Sequence, residues 1–248
     1  MVTVKSAHEI ELMRKANQIV RDTLELVGRE IKAGMTTAQV DKLVYDYITS
    51  CGAKPSFLGY DGYPASACVS INEEVVHGIP SPRRFIEEGD IVSVDVGSIY
   101  KGYNGDAART FMIGQVDEEK KKLVEVTRQS FFEGVKVLKD GCRLGDLGWA
   151  IQSYVESNGF SVVRALVGHG IGTDMHEDPS VPNYGTPGRG MRLKAGMTIA
   201  IEPMVNAGTF DVKVLSDDWT VVTRDGRPSA HYENTVVITQ DGCEILSL

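Results

Sequence analysis

The chain has 248 residues, 42% hydrophobic and 24% charged, which suits one globular unit with a sizeable core. A formal charge of −8 and a pI near 5.2 argue against unaided binding to nucleic acid or to an anionic membrane. Four scattered cysteines without a C-x-x-C pair, and no apolar run of about 18 residues, argue against a zinc knuckle, a disulfide framework or a membrane span and for a reducing cytoplasm.

Ser6, with Glu9 three places on, predicts a capped helix over 6–30, with Ile10, Met13, Ile19 and Leu26 on its apolar face. Thr37 is expected to cap a second helix through Val40, Leu43, Val44, Tyr47 and Ile48, ending at Cys51-Gly52. A glycine- and proline-rich span follows at 55–66. Then come a short strand over 67–71 and a loop ending in Val75-Val76-His77-Gly78-Ile79-Pro80. Residues 87–110 read as two strands with a turn between them. Beyond this hairpin, Asp117 opens a charged amphipathic helix to about Lys139, and another helix covers 144–158. A strand over 160–167 leads into GHGIG, and a second glycine/proline-rich loop, 179–190, precedes a strand over 197–205.

The 87–110 hairpin holds Asp95 and Asp106. A turn centred between Tyr100 and Lys101 would set them face to face, with Cβ atoms roughly 5 Å apart. A turn one residue further on makes them diagonal neighbours instead. Facing carboxylates repel, so one must be protonated or a cation must lie between them. Hard carboxylate oxygens suit a divalent ion. Aspartates on opposite faces, or a solvated pair, are the ordinary alternatives.

The chain also repeats itself. IKAGM at 31–35 aligns with LKDGC at 138–142, YITSCGA at 47–53 with YVESNGF at 154–160, and IEEGDIVSVD at 86–95 with LKAGMTIAIE at 193–202. All three matches share an offset of 107, which predicts two α/β halves (about 1–112 and 113–248) folded around one site within a single unit. The repeat pairs Asp95 with Glu202. With Asp106, His169 and Glu233 they make four carboxylates and one imidazole in or beside apolar strands, where unpaired charge is costly. Singly, each has a plain structural role open to it, such as capping a turn or ending a strand. Together, four negative charges balance two divalent cations.

The segments SINEEVVHGIP (70–80), VDVG…GYNGDAART (94–110), GHGIGTDMHEDP (168–179), AIEPMV (200–205) and HYENTVVIT (231–239) resemble the type I, bacterial-type methionine aminopeptidases of family M24. That resemblance implies an α+β pita-bread fold, with two pseudo-symmetric halves around a curved antiparallel sheet. It also implies two divalent metal ions (Co, Mn, Fe or Zn). By motif position, Asp95 resembles the chelating aspartate of one metal, Asp106 and Glu233 the bridging carboxylates, and His169 and Glu202 the ligands of the other. Glu202 is then the proton carrier for a water activated between the metals. His77 and His176 resemble histidines that contact the substrate amide. Phe57, Tyr60, Tyr63, Cys68, Met175 and Trp219 are the implied walls of the methionine pocket. The family often has a small or sulfur residue at position 57 and an aromatic at 175, so this pocket departs in shape. Asn72 and Ser229 match positions that hold a monovalent cation. His8 reads as solvent-exposed, and His231 as structural or near the site.

The implied activity is hydrolytic removal of N-terminal methionine, ahead of a small second residue, from peptides and nascent chains. The implied setting is cytoplasmic and monomeric, with ribosome contact by family role and no membrane or nucleic-acid specificity. A proline-specific pita-bread peptidase is the first rival, although such enzymes generally carry an extra N-terminal domain. A catalytically dead peptide-binding relative is the second, although such proteins lose ligands and all five are here. GHGIGTD lacks the G-x-G-x-x-G spacing of a nucleotide loop.

Overall fold

The computed structural model describes residues 2–248. Four α-helices, α1 (Ala7–Glu30), α2 (Thr37–Ser50), α3 (Glu118–Val135) and α4 (Leu144–Ser157), form among the described residues. The first-half strands are β1 (Lys54–Pro55), β2 (Ala67–Ile71), β3 (Glu74–Val76), β4 (Ile91–Tyr100) and β5 (Tyr103–Met112). The second half adds β6 (Ser161–Val162), β7 (Gly168–Gly170), β8 (Glu177–Val181), β9 (Thr198–Ile201) and β10 (Met204–Asn206). It ends with β11 (Val212–Val214), β12 (Val221–Thr223), β13 (Ser229–His231), β14 (Asn234–Ile238) and β15 (Cys243–Ile245). Strand pairing is antiparallel throughout. The sheets run β1-β4-β2 with β5 on β4, β13-β10-β6, β11-β12-β3, and β15-β14-β9-β7-β8. This is the α+β pita-bread architecture expected from the motifs.

The 107-residue repeat is visible in the elements. Thr37 and Leu144 start α2 and α4, Ser50 and Ser157 end them, and Ile91 and Thr198 start β4 and β9, each pair 107 apart. One core packs α1 and α2 on β2, β4 and β5 through Val20, Val44, Val69 and Val94. The other packs α3 and α4 on β9, β10 and β14 through Phe131, Leu147, Ile199 and Val236. Strand β5 joins the halves. The Glu233 N–H donates to the Ala108 carbonyl at 3.0 Å, the Thr235 hydroxyl to the Asp106 carbonyl at 2.9 Å, and the Asn104 N–H to the Gly172 carbonyl at 2.8 Å.

Local chemistry explains where the elements fall. Ser6 and Glu9 form the expected capping box. The second helix is capped by Thr36, not Thr37, because Gln39 stands three places beyond Thr36 and returns the bond. Thr37 instead bonds Ser81 across the loop. Asp117 caps α3, but the helix ends at Val135 rather than near Lys139. Its last turn tightens at Gly134, and Asp140 and Gly141 then donate to the carbonyls of Thr239, just past β14, and Leu193, ahead of β9.

Three strand expectations change. The strand over 160–167 shrinks to Ser161–Val162, since the chain turns out at the exposed Arg164, which stacks on Phe210. Strands β3 and β8 occupy stretches expected as loop. The strand over 197–205 breaks into β9 and β10 at Glu202-Pro203, where proline has no N–H for the ladder. The two pieces enter different sheets, and Glu202 is left at the break.

Candidate metal centre and active site

The hairpin register follows the second alternative. Asp95 faces Ala108 and Asp106 faces Gly97, because the turn is Lys101-Gly102, both at positive φ (+48° and +85°). Two such residues make the tight turn whose twist matches a hairpin. The aspartates are therefore diagonal neighbours on one face. Asp106 is fixed from behind by buried Asn17 of α1, whose Oδ1 accepts the Asp106 N–H at 3.2 Å. No Cβ fits at Gly105, since it would stand 2.6 Å from the Asn17 nitrogen, so α1 lies directly on β5.

The other expected ligands converge on this face. Glu233 stands between β13 and β14, His169 in the middle of β7, and Glu202 at the β9/β10 break. His169 Nε2 lies 3.6 Å from Asp106 Oδ2 and 3.6 Å from Glu202 Oε1. Asp106 and Glu233 are 3% and 2% exposed, while Asp95 and Glu202 keep a face on the cavity. No lysine or arginine lines that cavity. Arg109, behind Glu233, donates to its carbonyl at 2.6 Å rather than to its carboxylate.

Burial drives all four carboxyls above the ordinary range, Asp95 to about 7, and mutual repulsion adds to this for Asp106, Glu202 and Glu233. Asp95 Oδ1, Asp106 Oδ1 and Glu233 Oε1 have no hydrogen-bond partner although buried. Orphaned buried carboxylate oxygens are costly unless a cation meets them. Ligand atoms also cluster within 4.8 Å as Asp106, His169 and Glu233, and as Asp95, His231 and Glu233, with Glu233 common to both. The donor set fits hard or borderline divalent ions.

The imidazoles are prepared as neutral groups. Burial lowers His77 and His169 to about 4 each, and lowers His176 as well. The Gly170 carbonyl, 2.9 Å from His169 Nδ1, can only accept, so Nδ1 carries the proton and the Nε2 lone pair faces the carboxylates. The His176 ring lies 4.3 Å from that of His169, and its Nδ1 is 2.7 Å from the Tyr60 hydroxyl. His77 sits at φ +60°, a conformation rare outside glycine, and turns its ring edge-on to Trp219.

All thirteen expected site residues line one cavity of about 190 Å³. Its apolar end is Phe57, Tyr60, Tyr63, Cys68, Met175 and Trp219, and its polar end is the carboxylate cluster. Burial pushes the Cys68 thiol well up, which makes it a wall and not a nucleophile. A larger cavity, about 400 Å³, lies elsewhere, lined by Arg21, Arg109, Arg128 and His231, and none of the four clustered carboxylates reaches it. Asn72 and Ser229 are joined by a 2.8 Å backbone bond, and their side chains are spent on Asp90, Ile91, Val205 and Asn206.

The Peptidase_M24 model, described as metallopeptidase family M24, matches residues 11–240. The chain belongs to metallopeptidase family M24. It is 58% identical to a methionine aminopeptidase of Clostridium acetobutylicum, covering 100% of this chain and 99% of that one. It is 49% identical to methionine aminopeptidase 1 of Bacillus subtilis, covering 100% and 99%. Among solved structures, a methionine aminopeptidase of Thermotoga maritima superposes with a TM-score of 0.98 at 50% identity, covering 100% and 99%. A prolidase of Pyrococcus furiosus gives 0.79 at 25% identity, covering 99% of this chain and 65% of that one.

The M24 site includes groups to which the sequence assigned no ligand or pocket role. His231 shares the Asp95 and Glu233 cluster, and Asp61 lines the cavity mouth. Gly97 leaves room for the pocket, as its Cβ would stand 2.8 Å from Phe57 Cε1 and 2.9 Å from Met175 Cε. The Asn183 amide donates to the Glu202 carbonyl at 3.0 Å and holds the strand break. His231 ends β13 two residues before Glu233, and that short spacing in HYE is a signal for His231.

Proposed function

We propose that this M24 enzyme removes N-terminal methionine from peptides and nascent chains when the second residue is small. The observation that carries the reading is one cavity with an apolar, aromatic and sulfur-lined end and a carboxylate-imidazole end. Asp95, Asp106, His169, Glu202 and Glu233 would hold two divalent ions. When bound, those ions supply Lewis-acid polarisation of the first carbonyl and an acidified water to attack it.

The chain's own groups do the rest. Phe57, Met175, Tyr63, Cys68 and Trp219 receive the methionine side chain, and a flexible thioether suits aromatic and sulfur neighbours. The free α-amine is directed to the Asp95 end, which restricts cleavage to N-termini. Glu202, at the cavity edge, takes the proton of the attacking water and passes it to the leaving nitrogen. His176, held by Tyr60, donates toward the oxygen that gains charge. His77 hydrogen-bonds the scissile nitrogen or the next backbone group.

A single catalytic unit built from two pseudo-symmetric halves is supported by the 107-residue correspondence of α2 with α4 and of β4 with β9. Four unpaired cysteines support a reducing, cytoplasmic setting. Among the described residues, no helix is long and apolar enough to cross a membrane. Action as a monomer near the ribosome rests on the family role alone.

The test is release of methionine from Met-Ala-Ser by the cobalt-loaded chain, beside Met-Leu-Ser, Leu-Ala-Ser and Ala-Pro-Ser. Preferential cleavage of Met-Ala-Ser is expected. Cleavage of the proline peptide alone would move the chain to the prolidase-like reading.

A further inference from the structure

His231 is not among the five expected ligands, yet like His169 it stands with two acidic residues of the cluster. Its ring is 2% exposed. Nε2 has no hydrogen-bond partner and lies 3.8 Å from Glu233 Oε2. That is too long for a hydrogen bond, so the ring does not serve the carboxylate in that way. A buried nitrogen left without a partner costs about 1–3 kcal/mol. Its backbone leaves little slack, because the His231 N–H donates to the Thr110 hydroxyl at 3.0 Å and its carbonyl accepts that hydroxyl at 2.8 Å. The main chain at His231 is therefore fixed beside the acidic cluster.

Spacing decides what it can do there. Donors about 2.1 Å from a tetrahedral ion lie roughly 3.4 Å from one another. The 3.8 Å between His231 and Glu233 is close to the 3.6 Å that separates His169 from Asp106 and from Glu202. A ring nitrogen of His231 also lies within 4.8 Å of ligand oxygens of both Asp95 and Glu233, the same separation that gathers Asp106, His169 and Glu233.

We propose that His231 supplies a nitrogen donor to the divalent cation at Asp95. The proposal rests on the metal-holding reading above and extends it. Each cation position then has one imidazole beside its carboxylates. A nitrogen at both positions favours cobalt, iron or zinc over manganese or magnesium at both. With His169 as the only imidazole, the Asp95 position would be oxygen-only and would take manganese or magnesium more readily.

X-ray absorption at the cobalt edge tests this on the full chain loaded with two cobalt ions. The parent protein is expected to show about one imidazole per cobalt. His231→Gln and His169→Gln should each show about half of one, and the double variant none. In His231→Gln the affinity for one cobalt should fall on the order of 10–100-fold in a calorimetric titration. Half an imidazole per cobalt in the parent would overturn the proposal and leave the dinuclear reading intact. So would an unchanged count in His231→Gln. Failure of the parent to bind cobalt at all would overturn both. The parent measurement decides even where a variant folds poorly.

Discussion

Asp95→Asn should stabilise the metal-free protein and gain less from added metal than the parent does. Asp95 sits in β4 between buried Val94 and Val96, and burial holds its carboxyl at about 7 against an ordinary 3.8. At 1.36 kcal/mol per pKa unit, that difference is about 4 kcal/mol. The sign follows from linkage. Well below pH 4 the group is neutral in both states and costs nothing. Between pH 4 and 7 it ionises freely in the unfolded chain but not in the folded one, so stability is lost as pH rises. Above pH 7 the full cost of about 4 kcal/mol is present, whereas at pH 4.5 it is only about 1 kcal/mol. Asparagine removes it. The substitution also relieves Asp106, Glu202 and Glu233, each held up in part by the Asp95 charge. For a chain of this size, about 4 kcal/mol moves the melting temperature by roughly 8–16 °C. Thermal unfolding followed by circular dichroism, in chelator at pH 4.5 and 8, should show nearly equal melting at pH 4.5 and a higher-melting variant at pH 8. Adding cobalt should narrow the gap, because the parent gains about 2.7 kcal/mol at 100 times its Kd and the variant has lost a ligand. A metal-free variant that melts at or below the parent at pH 8 would refute the reasoning.

Three other outcomes are expected. His176→Ala should lower kcat/KM for Met-Ala-Ser on the order of 10²–10³-fold, with bound cobalt unchanged by elemental analysis. Gly97→Ala should crowd Phe57 and Met175 and raise KM for methionine peptides far more than it lowers kcat, as steady-state kinetics would show. Gly105→Ala should destabilise the fold by about 1–3 kcal/mol in urea titration, because its Cβ meets the α1 backbone, which cannot yield as a side chain can.

Sequence pattern reached far in this chain because its signals are local. Ser6 and Glu9 cap α1 as expected, and the 107-residue offset returns as the matching bounds of α2 and α4. Asp106, His169, Glu202 and Glu233 lie on four separate segments, and only their shared chemistry and the family motifs drew them together. The parts that were not legible depend on partners far away in the chain. The Lys101-Gly102 turn was one residue beyond the simplest guess, and the aspartates became diagonal neighbours. The apolar run over 197–205 looked continuous, but Pro203 splits it between two sheets. His231 read as structural or near the site, because the sequence alone does not show that β13 brings it to Asp95. Thr36 rather than Thr37 caps α2 because Gln39 selects between two adjacent hydroxyls.

The most direct measurement is a titration of the metal-free chain with cobalt, reading bound ions and methionine release from Met-Ala-Ser in the same samples, with Asp106→Ala alongside. Release that rises with occupancy, and is lost together with cobalt binding in Asp106→Ala, is the predicted result. Full release in the presence of chelator, or from Asp106→Ala, would contradict a metal-dependent site built on these carboxylates.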